Sequence, residues 1–229
     1  MREFQLAASL REENNTPGAL DRLRRALELD PENARAYVLR GFIYFEGESY
    51  PEAEADLRKG VELLELRPDM ASVLAEARNL LGLALANQEK YTEALELLRT
   101  SADDPLNTAP WVAWGNLGWT LYRAGEHEES EAALQEAVRN QPRYCLGFYW
   151  LGQTQFAMEK LAEAEASLTQ AVEADERCGR YLQSAYKLRG ETRARLGNRD
   201  AAVADFERCV ELSDRTDDGQ ACNRFLGMH

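Results

Sequence analysis

"NLGWTLYRAGEHEESEAALQEAVRNQP", Asn116 to Pro142, reads as two amphipathic helices around a polar, glycine-bearing turn. Gly118 stands in the middle of the first helix. A glycine there costs on the order of 1 kcal/mol relative to alanine, so it belongs where a side chain would obstruct a neighbouring helix. The second half of the stretch, "EESEAALQEAV", supplies that neighbour, and the two form a helical hairpin.

The hairpin recurs six times. The central small residue of the first helix is Ala7, Gly41, Gly82, Gly118, Gly152 and Gly190, at steps of 34, 41, 36, 34 and 38 residues, the longer steps being insertions between hairpins. Twelve residues later comes a second small residue: Ala19, Ala53, Ala94, Ser130, Ala164 and Ala202. Four further on stand Leu23, Leu57, Leu98, Leu134, Leu168 and Phe206. Three beyond those lies a third small residue: Ala26, Gly60, Ser101, Ala137, Ala171 and Cys209. Pro31 and Pro142 follow second helices, which they cannot continue. A fixed period decides architecture before any single motif does. The pattern resembles the tetratricopeptide repeat from about Met1 to Ser213. It implies an all-α solenoid of six hairpins, approximately 1–33, 34–70, 75–105, 111–142, 145–176 and 179–213, in one superhelix. Residues 214–229 depart from the pattern and read as a C-terminal capping helix, which a solenoid needs.

The 229 residues are 45% hydrophobic and 29% charged, enough for an extended helical core, with no apolar run long enough to span a membrane. The formal charge of −13, without a basic stripe interleaved with aromatics, makes nucleic acid a poor partner. Counting back from Ala7, the first helix opens at about the first residue. The expectation is therefore no signal peptide, and a chain that starts abruptly or is trimmed at Met1.

No catalytic relay is legible. The histidines are His127, in a turn, and His229, at the end. "DRTDDG" begins like a calcium loop, but Phe225 falls where the bidentate glutamate belongs. Asp103 and Asp104 read as solvated carboxylates of an interhairpin loop, and "NNT" at Asn14 to Thr16 as the first hairpin's turn. No cofactor, metal or enzymatic activity is expected. The cysteines Cys145, Cys178, Cys209 and Cys222 lack zinc spacing. They are either isolated core thiols or two disulfides. Cys145 and Cys178 lie one repeat apart, and Cys209 faces the segment carrying Cys222, so the pairings 145–178 and 209–222 are geometrically sensible. If formed, they imply an oxidising compartment and about 2–4 kcal/mol per bridge.

Function in such an array lives on the face lined by first helices. Positions three before, one after and four after each central small residue point there. They give Phe4 in the first hairpin; Val38, Phe42 and Phe45 in the second; Asn79, Leu83 and Ala86 in the third. The fourth supplies Gly115, Trp119 and Tyr122, and the fifth Tyr149, Gln153 and Phe156. The row is aromatic and aliphatic, suited to a hydrophobic or amphipathic protein segment; the competing reading puts some of these rings in the core or under the chain's own termini. Arrays that clamp the acidic tail of a chaperone need Lys, Arg and Asn at these places, which are apolar here with Asn79 and Lys187 the main exceptions.

The stretch Ala77 to Trp119 is similar to the tetratricopeptide type IV pilus biogenesis and stability lipoproteins, the pilotins of outer-membrane secretins. The residues that carry it are Asn79 with Gly82, Tyr91, the loop Asp104, Pro105, Leu106 and Pro110, and Asn116 with Gly118. The resemblance implies a scaffold on the periplasmic side of the outer membrane, anchored by a lipidated cysteine absent from this sequence. It further implies binding of secretin monomers and promotion of their assembly. The alternative is a cytoplasmic adaptor with a different hydrophobic peptide client. Arg189, Arg193 and Arg195 in the sixth hairpin depart from the apolar pattern.

Overall fold

The computed structural model describes residues 2–173, 178–179 and 181–227; Met1 and His229 lie outside them. These residues form thirteen α-helices and no strand. The first three hairpins are α1 (Arg2–Glu12) with α2 (Thr16–Leu29), α3 (Ala34–Glu46) with α4 (Tyr50–Glu65), and α5 (Ala71–Ala86) with α6 (Tyr91–Ala102). Then come α7 (Pro110–Ala124) with α8 (His127–Asn140), α9 (Cys145–Ala157) with α10 (Leu161–Glu173), and α11 (Tyr181–Arg195) with α12 (Arg199–Leu212). The last helix, α13 (Asp217–Gly227), packs on α12 and α11. The 41-residue step has a visible cause: α4 runs to Glu65, a short 3-10 turn spans Pro68–Met70, and α5 opens at Ala71, before the expected 75. Packing groups the chain into two units, 1–116 and 117–229, where the sequence reading took a single array. The division falls inside α7.

The small-residue registers are the core of each unit. A Cβ on Gly41 or Gly82 would lie 2.7 Å from Cγ of Leu57 or Leu98, and in the second unit one on Gly118 or Gly152 would lie 2.5 or 2.6 Å from Leu134 or Leu168. The leucine sixteen residues on therefore sits directly over the glycine, and the backbones close around it. Leu23, Leu57, Leu98, Leu134 and Leu168 are fully buried. Ser101 and Ser130 fit the crowded positions by satisfying themselves: Ser101 Oγ donates to the carbonyl of Ala75 at 2.8 Å, and Ser130 Oγ to that of Gly118 at 2.8 Å.

Local chemistry sets the ends. Asn15 and Asn33 cap α2 and α3, their Oδ1 atoms accepting from the amides of Gly18 and Ala36 at 3.1 and 3.2 Å. Every hairpin turns through a left-handed residue seven after its central small residue: Asn14, Glu48, Glu89, Gly125, Glu159 and Gly197, with φ between 57° and 86°. "NNT" is that turn in the first hairpin, together with the Asn15 cap. At the C-terminus the structure bonds Cys209 to Cys222, Cα atoms 6.4 Å apart, and stacks Phe206 on Phe225 with ring centroids 4.6 Å apart. Cys145 is bonded to Cys178 across a Cα separation of 5.7 Å.

Candidate protein-binding grooves

In the first unit the first helices α1, α3 and α5 line an open cleft of about 480 Å3. Its walls are Phe4 and Ala8 from α1; Arg35, Val38, Leu39 and Phe42 from α3; and Val73, Glu76 and Leu80 from α5. All the apolar members are half-buried, so each shows one face to solvent and roots the other in the hairpin. Arg11 lies over the Phe42 ring, 4.3 Å from its centroid, and is held there by Glu46 at 3.1 Å. That stack fixes the ring at the lip of the cleft, with the guanidinium on its π face.

Of the residues assigned to this face, Phe4, Val38 and Phe42 meet in the cleft. Phe45, Asn79 and Leu83 do not line it. Phe45 packs edge-on against Tyr50, centroids 5.7 Å apart, because the turn brings the start of α4 under it. Asn79 Oδ1 accepts from Asn116 Nδ2 at 3.0 Å, an asparagine bridge between neighbouring first helices. Leu83 is half-buried, and its carbonyl takes a bond from Asn87 Nδ2 at 3.0 Å. Ala86 and Gly115, read as inward-facing, are buried.

Leu39 and Leu80, which sequence reasoning left out, both stand two residues before the glycine. That position lines the cleft as well as those three before and one after. The signal was present in "VLRG" and "NLLG", where a leucine stands two before the glycine, a position outside the three assigned to this face.

The second unit carries a different surface. Trp119 is sandwiched between Tyr122, 5.3 Å away and 12° from parallel, and Trp150, 5.5 Å away and 11° from parallel. Trp150, also two before its glycine and also missed, is buried and roots the stack in a cluster with Leu134 and Leu151. Tyr122 meets the ring of His127 at 5.2 Å. Tyr149 faces Tyr181 at 6.0 Å, and its hydroxyl is pushed above the ordinary value by burial, against a hydrogen bond with Ser184 that acts the other way. Gln153 carries a buried Oε1 with no hydrogen-bond partner among the described residues. Phe156 lies under Arg195, 5.0 Å from its centroid.

Of the sixth hairpin's arginines, Arg189 is buried and Arg193 half-buried, while Arg195 is exposed and pairs with Glu159. Arg189 is 8% exposed and clamps Asp205 with both prongs, Nε to Oδ2 at 2.9 Å and NH2 to Oδ1 at 2.7 Å. Arg193 joins the same carboxylate at 2.9 Å and Glu165 at 2.7 Å. In the second hairpin Arg40 holds Asp56 the same way, at 2.6 and 2.7 Å. Both clamps occupy the positions just before the glycine and just before the large residue packed on it. "RG" followed sixteen residues later by "DL" or "DF" is their sequence signature. Lys187 is likewise engaged, its Nζ 2.6 Å from Oδ1 of Asp218 on α13.

The tetratricopeptide repeat family matches residues 8–47, 74–103, 109–145, 147–178 and 184–216. The crystal structure of PilW, a widely conserved type IV pilus biogenesis factor, superposes with a TM-score of 0.82 at 22% identity over 96% of each chain. PilF of Pseudomonas aeruginosa gives 0.79 at 18% identity, covering 100% of this chain and 96% of that one. The Hsp70-Hsp90 organizing protein of Triticum aestivum is 28% identical over 199 residues, 85% of this chain but 32% of that protein. The chain thus spans about a third of the length of that relative. Repeat matches along most of its length, and the same helical register in every hairpin, make the chain a tetratricopeptide-repeat protein.

Proposed function

We propose that the protein is a non-enzymatic scaffold that captures a hydrophobic or amphipathic segment of a secretin monomer and promotes secretin assembly in type IV pilus biogenesis. The observation that carries this reading is the half-exposed apolar lining of the first helices: Phe4, Val38 and Phe42 in one unit, Trp119 and Tyr122 in the other. Burying a few such rings contributes about 25 cal/mol per Å2 of apolar area, offset by the ordering of the bound segment, which suits transient assembly work. The structural similarity to two pilus biogenesis proteins supports the reading, and two disulfides suit a periplasmic setting at the outer membrane. Anchorage there would come from a lipid on a cysteine outside this sequence.

The chaperone relative motivates a second reading, a cytoplasmic adaptor clamping an acidic peptide tail. The two main polar candidates of the first-helix registers are both engaged, Asn79 with Asn116 and Lys187 with Asp218, and the one base lining the cleft, Arg35, shares it with Glu76 and six apolar side chains besides Ala8. The apolar client is therefore the better fit. The test titrates the protein, by fluorescence anisotropy, against a labelled purified secretin monomer and a labelled acidic chaperone-tail peptide. Capture of the secretin alone, weakened by Phe42→Ser and by Trp119→Ala with Tyr122→Ala while helical circular dichroism is kept, is the expected result. Preference for the acidic peptide, or undiminished secretin capture by both folded variants, would refute the proposal.

A further inference from the structure

Two charged side chains line the cleft of the first unit among otherwise apolar walls, Arg35 on α3 and Glu76 on α5. They stand at one register, each six residues before the glycine of its helix, Gly41 and Gly82. The two helices touch, and both side chains are exposed. Although opposite in sign, they form no ion pair with each other. Among the described residues neither side chain has a hydrogen-bond or ion-pair partner anywhere else.

That state is unusual for this unit. Three arginines of the same first helices are satisfied within the chain: Arg11 by Glu46 at 3.1 Å, Arg40 by Asp56 at 2.6 Å and Arg78 by Glu65 at 3.0 Å. Arg35 also borders the adjoining cavity of about 320 Å3, together with Asp30, Glu32 and Arg67, and pairs with neither acid. There Asp30 Oδ1 accepts from the Glu32 amide at 3.2 Å, and Arg67 is tied to Asp69 at 3.0 Å.

The cleft therefore offers one free base and one free acid beside Val38, Phe42 and Leu80. An occupant seated on those apolar walls takes water from both charges, and a charge that loses water without gaining a partner costs free energy. A segment apolar throughout would leave both unanswered. One flanked by a single sign would satisfy one charge and repel the other. A segment carrying both signs answers both.

We propose that the cleft selects its client by charge as well as by apolarity: the bound segment carries an acidic side chain that pairs with Arg35 and a basic one that pairs with Glu76, beside its apolar core. This rests on the proposal that the cleft holds an apolar client segment, and it adds which segments are accepted.

The test titrates the whole chain, by fluorescence anisotropy, with four labelled peptides that have blocked termini and one shared apolar core. Their flanks are Glu before and Lys after, the reverse, Glu on both sides, or Lys on both sides. At low salt one mixed peptide should bind about threefold to tenfold more tightly than either like-charged one, and the gap should close toward about 0.5 M salt. Arg35→Glu leaves two acids and should turn the preference to the Lys-flanked peptide. Glu76→Arg leaves two bases and should turn it to the Glu-flanked one. Both positions are exposed, and helical circular dichroism checks that the fold is kept. Phe42→Ser should weaken all four peptides. Equal binding of the four by the unchanged chain, binding of none, or one ranking shared by the unchanged chain and both reversals would overturn the proposal. Unchanged binding in Phe42→Ser would seat the peptides outside the cleft and overturn it as well. The two proposals fail differently. Loss in Phe42→Ser without any switch of preference keeps the apolar cleft and removes its charge selection. A switch of preference without capture of the secretin monomer keeps the charge selection and removes the secretin as client.

Discussion

At the scale of single residues, backbone geometry and close packing pull in opposite directions on glycine. Gly118 exists because Leu134 occupies the space its side chain would need, so Gly118→Ala should cost about 1–3 kcal/mol by overpacking. Gly47, with φ of −86° and its nearest obstruction 3.5 Å from a Cβ, has no such role. Gly47→Ala should leave stability unchanged or raise it by about 0.5 kcal/mol. Conversely, Glu89 holds φ of 61° where two other hairpins place glycine. Releasing that left-handed strain is worth roughly 1–2 kcal/mol, part of which glycine's backbone entropy offsets. Glu89→Gly should therefore raise stability by about 0.5–1 kcal/mol. Chemical denaturation of the three variants reads all of these values together. The buried Arg189 clamp makes a larger prediction: Asp205→Asn strands a desolvated guanidinium and should destabilise by about 3–5 kcal/mol, whereas replacing both partners by leucine should cost far less.

At the scale of elements, α13 is an added helix held by a covalent and an ionic tie. Cys209 to Cys222 closes a 13-residue span, so Cys222→Ala should loosen α13 and cost about 3 kcal/mol. Hydrogen exchange would show the loss concentrated in 217–227. The ionic tie has a definite sign with pH. Burial acts to raise the Asp218 carboxyl, but hydrogen bonds from Lys187 and Ser184 outweigh it and hold it below its ordinary value. Its contribution is complete above the unfolded value of 3.8 and is lost only as pH falls through the lower folded one. Glu191 runs the other way. Burial pushes it up, Lys187 acts against that, and the charge of Asp218 adds to it. A carboxyl raised in the folded state stabilises when protonated, so stability should rise as pH falls from neutral toward 4.5. Glu191→Gln should be more stable at neutral pH and should flatten that rise; melting temperature measured across this range checks it.

At the scale of the whole chain, the covalent ties are unevenly distributed. Both disulfides lie in 117–229, and 1–116 contains no cysteine. A reductant should therefore lower protection from exchange across the second unit while leaving the first unchanged. Equal loss in both would show that the first unit depends on the second for its stability. A thiol count on protein from its native cells bears on the compartment. Every cysteine blocked against alkylation until reduction is the expected outcome for a periplasmic factor, whereas four reactive thiols would favour the cytoplasmic adaptor.

The fold was legible because packing rules repeat. Six recurrences of a small residue, its partner leucine and two further small residues leave few ways to arrange helices, and the turn and cap chemistry of each hairpin is local. Part of the candidate groove was legible for the same reason: Phe4, Val38, Phe42, Trp119 and Tyr122 stand at register positions that a straight helix presents outward. Tertiary structure decided the rest. Leu39 and Leu80 line the cleft and Trp150 roots the aromatic stack because of the neighbours packed beside them, contacts that no single helix encodes. Asn79 and Lys187 looked available in the sequence and are engaged in the structure, since the partner of a polar side chain is set by which helix packs alongside.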